Sequence, residues 1–506
     1  MVATPSKAPG AMTGQRYIES MRDGREVWID GEKVRDITTH PAFKDMVHEL
    51  ARVYDLQNSD QYRDEMTFIH PEAGVRTSVS WMVPRTPEDS ERKRRNSELW
   101  NMLTWGQLGR SPDILAPFIT NLVPRAAAFS AVKHPKCDFG ENVINYYRWC
   151  VENDPFLTHA LGDPQVDRST QPQNERRATP EDERVVLHAV EETNEGIIVH
   201  GGKQLSTAAV HSSETYVSLS QTFAARNDPR FVLAFSIPSN APGLKIFCRE
   251  PVGRWFGSWG HPFQSLDEQD CMLFFENVLV PWDRVFMLYE APKLGGVGGH
   301  LGGSSQNVAG LAPHVNFAGW ANLTRAHYRF RLMTAVATLC AESIGVVEFR
   351  EVAAKLGEMV TYCEMLRHAM DGVEHGRQPV SPGPGAMGVW IAQTSRRMTG
   401  LLIEICGSGI IMQPSENDLA NPEFRECLDR YMGGKDVGVD YKSRLFRFAH
   451  DLAASSFGMR QDIYEYWHGG DPNRNRINLL RNYQQDDIKN RIKDMCASPL
   501  PHGDVP

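Results

Sequence analysis

The spacing of apolar residues changes twice along this chain, and that change constrains its fold more than any single motif. From about residue 184 to 286, apolar residues come in short β-branched and aromatic runs separated by turn residues. These are Arg184-Val-Val-Leu-His-Ala-Val, Gly196-Ile-Ile-Val-His, Tyr216-Val-Ser-Leu-Ser, Phe231-Val-Leu-Ala-Phe and Cys271-Met-Leu-Phe-Phe. On either side the spacing is that of helices. Residues from about 13 to 150 read as mainly helical after a leader containing Pro, Gly and Ser, apart from an extended piece, Glu26 to Val34, turned by Asp30-Gly31. Patterned segments near 317–372, 389–412, 436–460 and 484–496 suit a helical bundle. The pattern predicts an α+β chain of three parts: a helical domain over 1–150, a central antiparallel β-barrel or sandwich over 151–286, and a helical bundle over 287–506.

The chain has 506 residues, enough for a large buried core. Its 54 basic and 63 acidic residues are interspersed, which leaves no electrostatic footprint for nucleic acid. No run is long and apolar enough for a membrane span, and residues 1–12 lack the apolar core of a secretion signal, so the expected location is the cytoplasm. Nine scattered cysteines fit free thiols in a reducing compartment. Leu294 to Gly310 carries seven glycines and reads as a mobile connector or lid. Gly383, Gly385 and Gly388 have dinucleotide-fingerprint spacing, but Pro382 and Pro384 interrupt it and no strand precedes it. Neither a P-loop, nor His-Glu-x-x-His, nor Cys-x-x-Cys occurs, so nucleotide hydrolysis and a standard zinc site have no sequence support and no metal is expected.

The segment Asn153 to Ser169 sets His159 in an apolar run and follows it with a proline-stiffened polar loop. A histidine there can move a proton near neutral pH beside a loop that holds a planar cofactor. It can equally be a buried histidine before an ordinary turn.

Several motifs recur in order along nearly the whole chain: Tyr17-Ile-Glu-Ser-Met-Arg-Asp-Gly-Arg-Glu-Val-Trp-Ile-Asp-Gly-Glu-Lys-Val, Gly109-Arg-Ser-Pro-Asp, Leu157-Thr-His-Ala-Leu and Pro164-Gln-Val-Asp-Arg-Ser. They are followed by Leu266-Asp-Glu, Glu276-Asn-Val-Leu-Val-Pro-Trp-Asp-Arg-Val-Phe, Gly407-Ser-Gly-Ile-Ile-Met-Gln-Pro-Ser-Glu-Asn-Asp-Leu and Phe457-Gly-Met-Arg-Gln. In this order they resemble the 4-hydroxyphenylacetate 3-hydroxylase large-subunit family. The resemblance implies an acyl-CoA-dehydrogenase-like fold, a homotetramer, and the oxygenase component of a two-component flavin monooxygenase. A separate NAD(P)H-dependent flavin reductase would supply FAD as FADH2, and O2 would be the co-substrate. A C4a-hydroperoxyflavin would then hydroxylate a small electron-rich aromatic, most readily a phenol next to its hydroxyl. Such a species needs a dry pocket, and a phenol of pKa about 10 needs a base or cation to ionise at neutral pH.

By the same resemblance, Arg110 and His159 contact the substrate hydroxyl, Arg110 stabilising the phenolate and His159 accepting its proton while also meeting the cofactor. Gln165, Val166, Asp167 and Arg168 form a flavin-contacting loop; Thr207, with Ser206 beside it, reaches the isoalloxazine; and Phe457, Gly458, Met459 and Arg460 lie where the C-terminal helices meet FAD. The residues alone also permit plainer roles: a salt bridge for Arg110, a turn cap for Thr207, helix packing for Phe457 and Gly458. Two departures from the family pattern stand out. Ile114 replaces a tyrosine that gives the substrate hydroxyl a second contact, and Ala321 and Trp320 stand where many members carry a histidine. Both make the pocket more apolar, which predicts an acceptor other than plain 4-hydroxyphenylacetate, such as a bulkier phenol or an indole-like ring. Dehalogenating or denitrating phenol monooxygenases are the neighbouring alternatives. An iron-sulfur dehydratase of the same fold would need closely grouped ligands, which Cys137, Cys150, Cys406 and Cys427 do not supply. An acyl-CoA dehydrogenase, with tightly held oxidised FAD, and a non-catalytic flavin-binding scaffold complete the field.

Overall fold

The computed structural model describes residues 9–164, 166, 180–219, 228–252, 261–291, 317–375, 383–469, 471–483 and 485–497. Its strands are β1 (Glu26–Ile29), β2 (Glu32–Val34), β3 (Thr67–Ile69), β4 (Arg76–Ser78), β5 (Leu157–Ala160), β6 (His188–Glu192), β7 (Gly196–Thr207), β8 (Glu214–Val217), β9 (Leu233–Pro238), β10 (Leu244–Cys248), β11 (Asp270–Pro281) and β12 (Val285–Leu288). Six form one sheet in the order β2-β1-β10-β11-β7-β6, four form a second in the order β12-β9-β8-β5, and β3 and β4 make a small hairpin.

The expected antiparallel barrel or sandwich is present as two mainly antiparallel sheets, with two parallel pairs that the pattern did not show: β1 runs parallel to β10, and β5 parallel to β8. Strands β1, β2 and β5 come from the N-terminal half and enter sheets built otherwise from residues beyond 187. The β1–β2 turn is the expected Asp30-Gly31 pair, at φ 51° and 80°, which suits the tight hairpin twist. Arg184 and Val185 close a short helix, Pro180–Val185, rather than opening a strand; Glu181, Asp182 and Glu183 in its first turn favour the positive helix end.

Capping residues set the helix starts. Thr86 and Asp89 form a reciprocal capping box at Pro87–Thr104, Asp138 caps Phe139–Asn153, and Ser455 caps Ser456–Trp467. The expected 317–372 segment is two helices, Phe317–Ser343 and Arg350–Glu374, with Gly345 at φ 74° in the break. The 436–460 segment likewise divides into Val439–Ala453 and Ser456–Trp467. Gly383 opens Gly383–Cys406, so the glycine spacing there belongs to a helix start. Leu294 to Gly310 lies outside the described residues. None of the described helices is long and apolar enough to cross a membrane.

The core is continuous from Tyr17 and Val47, through Phe235 and Leu273, to Phe330 and Phe446. The N-terminal helices Pro87–Thr104 and Pro112–Leu122 pack on Phe317–Ser343 of the bundle. Between them lies the loop 105–111, bordered by both helical parts and the β sheets.

Candidate active site

Helix Pro112–Leu122 begins directly after that loop, with Pro112 preset for the first helical turn. Arg110, in the loop, is 5% exposed. Its Nη2 lies 3.2 Å from His159 Nε2, its Nη1 donates to the Gly109 carbonyl at 3.0 Å, and the same Nη1 donates to the Tyr464 hydroxyl. A guanidinium has no acceptor, so the His159 contact requires a lone pair on Nε2 and the proton on Nδ1. Arg110 Nε is buried without a hydrogen-bond partner. His159 is on β5, held beside Tyr216 by the parallel register with β8, and its ring meets Phe118 at 5.4 Å between centroids. In the helix Pro112–Leu122, Phe118 alone is not fully buried; Ile114, one turn earlier, is 1% exposed.

Arg110 is fixed from below by Glu268. That carboxylate accepts from Gly109 N at 3.0 Å and Arg110 N at 2.8 Å, and pairs with Arg460 at 2.6 Å. Arg460 also donates from Nε to Asp270 at 2.8 Å, and Asp270 accepts from the Thr207 hydroxyl at 2.9 Å. Burial would raise the Asp270 carboxyl, but Arg460 and Arg249 hold it well below the usual carboxylate range. A chain of charge-assisted bonds thus runs from the Arg110 backbone through Glu268 and Arg460 to Thr207.

Ser206, also buried, donates to the His159 carbonyl at 2.9 Å and ties β7 to β5. Phe457 is buried in the core, and a Cβ on Gly458 would come within 2.7 Å of the Asp451 and Leu452 backbone, so both pack their helix against the preceding one. Met459 is half exposed, and Val166 is exposed. Gln165, Asp167 and Arg168 lie outside the described residues. Ala321 is buried.

Sequence reasoning assigned no role to Glu268, Asp270, Tyr464 or Phe118. Glu268 sits in the quoted Leu266-Asp-Glu motif, and Tyr464 is four residues past Arg460, one helical turn along the same face; that spacing was the available signal. Deeper still, Arg325 pairs bidentately with Glu465 at 2.6 and 2.8 Å, and donates to the Gly106 carbonyl at 3.3 Å. Gly106, at φ 67°, lies so close to that helix that a Cβ would be 2.8 Å from Arg325 O and Arg329 N.

These groups fit a planar, polar-edged ring with a phenolic acceptor beside it: an unspent buried donor on Arg110, a histidine whose Nε2 accepts from that arginine, and a threonine hydroxyl fixed by an ionised carboxylate. Among the described residues, no cluster of three or more His, Cys, Asp or Glu could hold a metal ion. The layout, helices before and after a β region with the site where all three meet, is that of the acyl-CoA-dehydrogenase-like class.

Comparison with known proteins then supplies the family. The 4-hydroxyphenylacetate 3-hydroxylase N-terminal profile matches residues 13–287, and the C-terminal profile of the same family matches 306–497. The chain belongs to that family. It is 33% identical to the 4-hydroxyphenylacetate 3-monooxygenase oxygenase component of Thermus thermophilus, over 97% of this chain and 98% of that protein. To the oxygenase component of a Rhodococcus 4-nitrophenol 2-monooxygenase it is 28% identical, over 96% and 92%. It superposes with a TM-score of 0.85, at 31% identity and covering 96% and 98% of the two chains, on a crystal structure of the oxygenase component of 4-hydroxyphenylacetate 3-monooxygenase complexed with FAD and 4-hydroxyphenylacetate. The chain is an FAD-dependent aromatic monooxygenase that uses reduced flavin and O2, the oxygenase half of a two-component system with a separate flavin reductase.

Proposed function

We propose that this chain hydroxylates a phenol next to its hydroxyl, and that Arg110 and His159 bind and ionise that hydroxyl. The supporting observation is the buried Arg110 guanidinium, whose Nε has no partner while Nη2 meets the acceptor nitrogen of His159. A phenol oxygen placed there takes over the Arg110 Nη2 donor as a charge-assisted bond, which frees the His159 Nε2 lone pair to accept the phenol proton and enriches the ring in electrons. Bound reduced flavin, with O2, supplies the electrophilic oxygen. Thr207 is the residue of β7 we assign to the flavin edge, with Ser206, Glu268, Asp270 and Arg460 holding the walls in register. Val166, and with it Gln165, Asp167 and Arg168, is assigned to the flavin loop by family position, as are Phe457, Gly458 and Met459 to the helix beside it.

With Ile114 in place of a second hydroxyl donor, the preferred acceptor is a larger or less polar phenol than 4-hydroxyphenylacetate. The nine free cysteines support work in a reducing cytoplasm. The homotetramer rests on family resemblance; exposed Phe349, Met412 and Tyr431 around a groove of about 470 Å³ at the bundle end offer an apolar face for contact between copies.

The test mixes protein, reduced FAD, ¹⁸O2 and a panel of phenols. One labelled oxygen ortho to the hydroxyl supports the reaction; oxygen consumption that ends wholly as peroxide for every phenol overturns it. If 4-hydroxyphenylacetate is the best acceptor, the substrate assignment is wrong.

A further inference from the structure

We propose that the Tyr464 hydroxyl is a positioning group that locks the Arg110 guanidinium so that its remaining N–H groups face the acceptor oxygen. The inference rests on the reading of Arg110 given above.

Three independent features meet at this tyrosine. Its hydroxyl accepts from Arg110 Nη1 and donates to the Gly109 carbonyl at 3.0 Å, and Arg110 Nη1 donates to the same carbonyl at 3.0 Å. This closed triangle uses both Nη1 hydrogens. A guanidinium is a rigid planar fork, so fixing Nη1 fixes the direction of Nε and Nη2 as well.

The second feature is steric. A Cβ on Gly109 would lie 2.2 Å from Tyr464 Cζ and 2.5 Å from its hydroxyl oxygen, so the glycine before Arg110 is required because the tyrosine ring occupies the space. The loop is held on one side by this ring and on the other by Glu268, which takes the N–H groups of Gly109 and Arg110.

The third is the ring's setting. It stacks on His468 at 5.1 Å and 10°, with the guanidinium carbons of Arg110, Arg325 and Arg460 at 5.6, 5.5 and 4.9 Å from its centroid. Phenylalanine would fill the same volume and keep those contacts; only the triangle needs oxygen. Burial raises the Tyr464 pKa above its ordinary value against the pull of Arg110 and Arg325, so it stays a neutral donor. The charged and titratable groups facing the pair are His159 from β5, Glu268 before β11, Arg325 from the bundle, and Arg460, Glu465 and His468 from or beside the Tyr464 helix.

The experiment uses Tyr464→Phe, with Gly109→Ala as a second variant that displaces the ring. The probe is 4-nitrophenol, whose anion absorbs visible light, titrated on protein holding reduced FAD without oxygen. Wild-type protein is expected to lower the bound dye's ionisation midpoint by about one pH unit, as an adjacent cation does. Both variants should lose half of that shift or more. In turnover, Tyr464→Phe should slow an un-ionised phenol about tenfold yet stay within about threefold for an acceptor already ionised at the assay pH, the loss of one charge-assisted bond to the oxygen.

An unchanged midpoint in Tyr464→Phe overturns the inference. So does an equal loss with both kinds of acceptor, the mark of a merely structural role. No midpoint shift in wild-type protein overturns the Arg110 reading and this inference together. A shift that Tyr464→Phe abolishes, in an enzyme that forms no hydroxylated product, upholds the positioning role and overturns the proposed reaction alone.

Discussion

Replacing Glu465 by Gln tests whether the site rests on a buried charge network. Glu465 and Arg325 are each 1% exposed, and Arg329 Nε lies 3.8 Å from the same carboxylate. Burial alone would raise the Glu465 carboxyl, yet Arg325, with His468 and Arg329, brings it from 4.5 down to about 2. At about 1.4 kcal/mol per pH unit, that difference corresponds to about 3 kcal/mol of folding free energy, in line with the roughly 3–5 kcal/mol lost when one member of a buried pair is removed. Glutamine keeps one acceptor oxygen but turns an NH2 toward guanidinium donors, leaving two buried cations short of a counter-charge. Because the folded-state pKa is depressed, this stability is present in full above about 4.5 and is lost as pH falls toward 2. Urea unfolding at matched protein concentration should therefore show Glu465→Gln about 3 kcal/mol less stable at pH 7. The gap should narrow by about 1 kcal/mol at pH 4. Hydroxylation should also weaken, because Arg325 carries the Gly106 carbonyl and Arg329 donates to Gln107 at 2.5 Å, both in the loop that leads to Arg110. A variant within 1 kcal/mol of wild type at pH 7, or a gap that widens in acid, would refute the reasoning.

Three other outcomes follow from the same geometry. Arg110→Lys cannot span His159, the Gly109 carbonyl, Tyr464 and the acceptor at once, so kcat/KM for un-ionised phenols should fall about 10- to 100-fold, one charge-assisted bond's worth; a change under threefold in steady-state assays counts against it. Thr207→Val keeps the shape and removes the hydroxyl, and should weaken reduced-FAD binding about 3- to 10-fold in an anaerobic titration; unaltered affinity would remove Thr207 from the flavin site. His211 is buried with neither ring nitrogen hydrogen-bonded, and burial plus the nearby Arg25 push it from 6.5 down to about 3. It folds neutral while the unfolded chain takes up a proton, so stability should fall as pH drops from about 6.5 toward 3, and His211→Leu should flatten that slope by up to about 1.4 kcal/mol per pH unit; an identical slope in the variant excludes it.

What the sequence reveals about this molecule depends on how local each determinant is. The Asp30-Gly31 hairpin, the run from Gly196 and the run from Cys271 are set by neighbours a few residues away, and each forms where the pattern places it. Segment 317–372 hides its break because apolar spacing persists on both sides of Gly345, and a positive φ at one glycine leaves no periodic trace. Parallel pairing of β1 with β10 and of β5 with β8 joins strands far apart in the chain, so no turn announces it.

The site follows the same rule. Arg110 and His159 were found through family motifs, and the structure places their side chains in contact across 49 residues. The groups that aim them are polar residues whose partners lie much further off: Glu268 is 158 residues from Arg110, and Tyr464 is 354. In the linear pattern Tyr464 is one aromatic in a helix and Glu268 one acid in a turn, marked only by the spacing from Arg460 and by the Leu266-Asp-Glu motif, neither of which names a partner. Gly109 carried a hint of another kind, because a glycine directly before a helix-opening Arg-Ser-Pro has no turn requiring it. What requires it is the tyrosine ring that the distant helix brings against the loop. A motif glycine without a local conformational reason is thus evidence of a close neighbour from elsewhere in the chain, and beside a buried arginine that neighbour is the first place to look for the group that aims it.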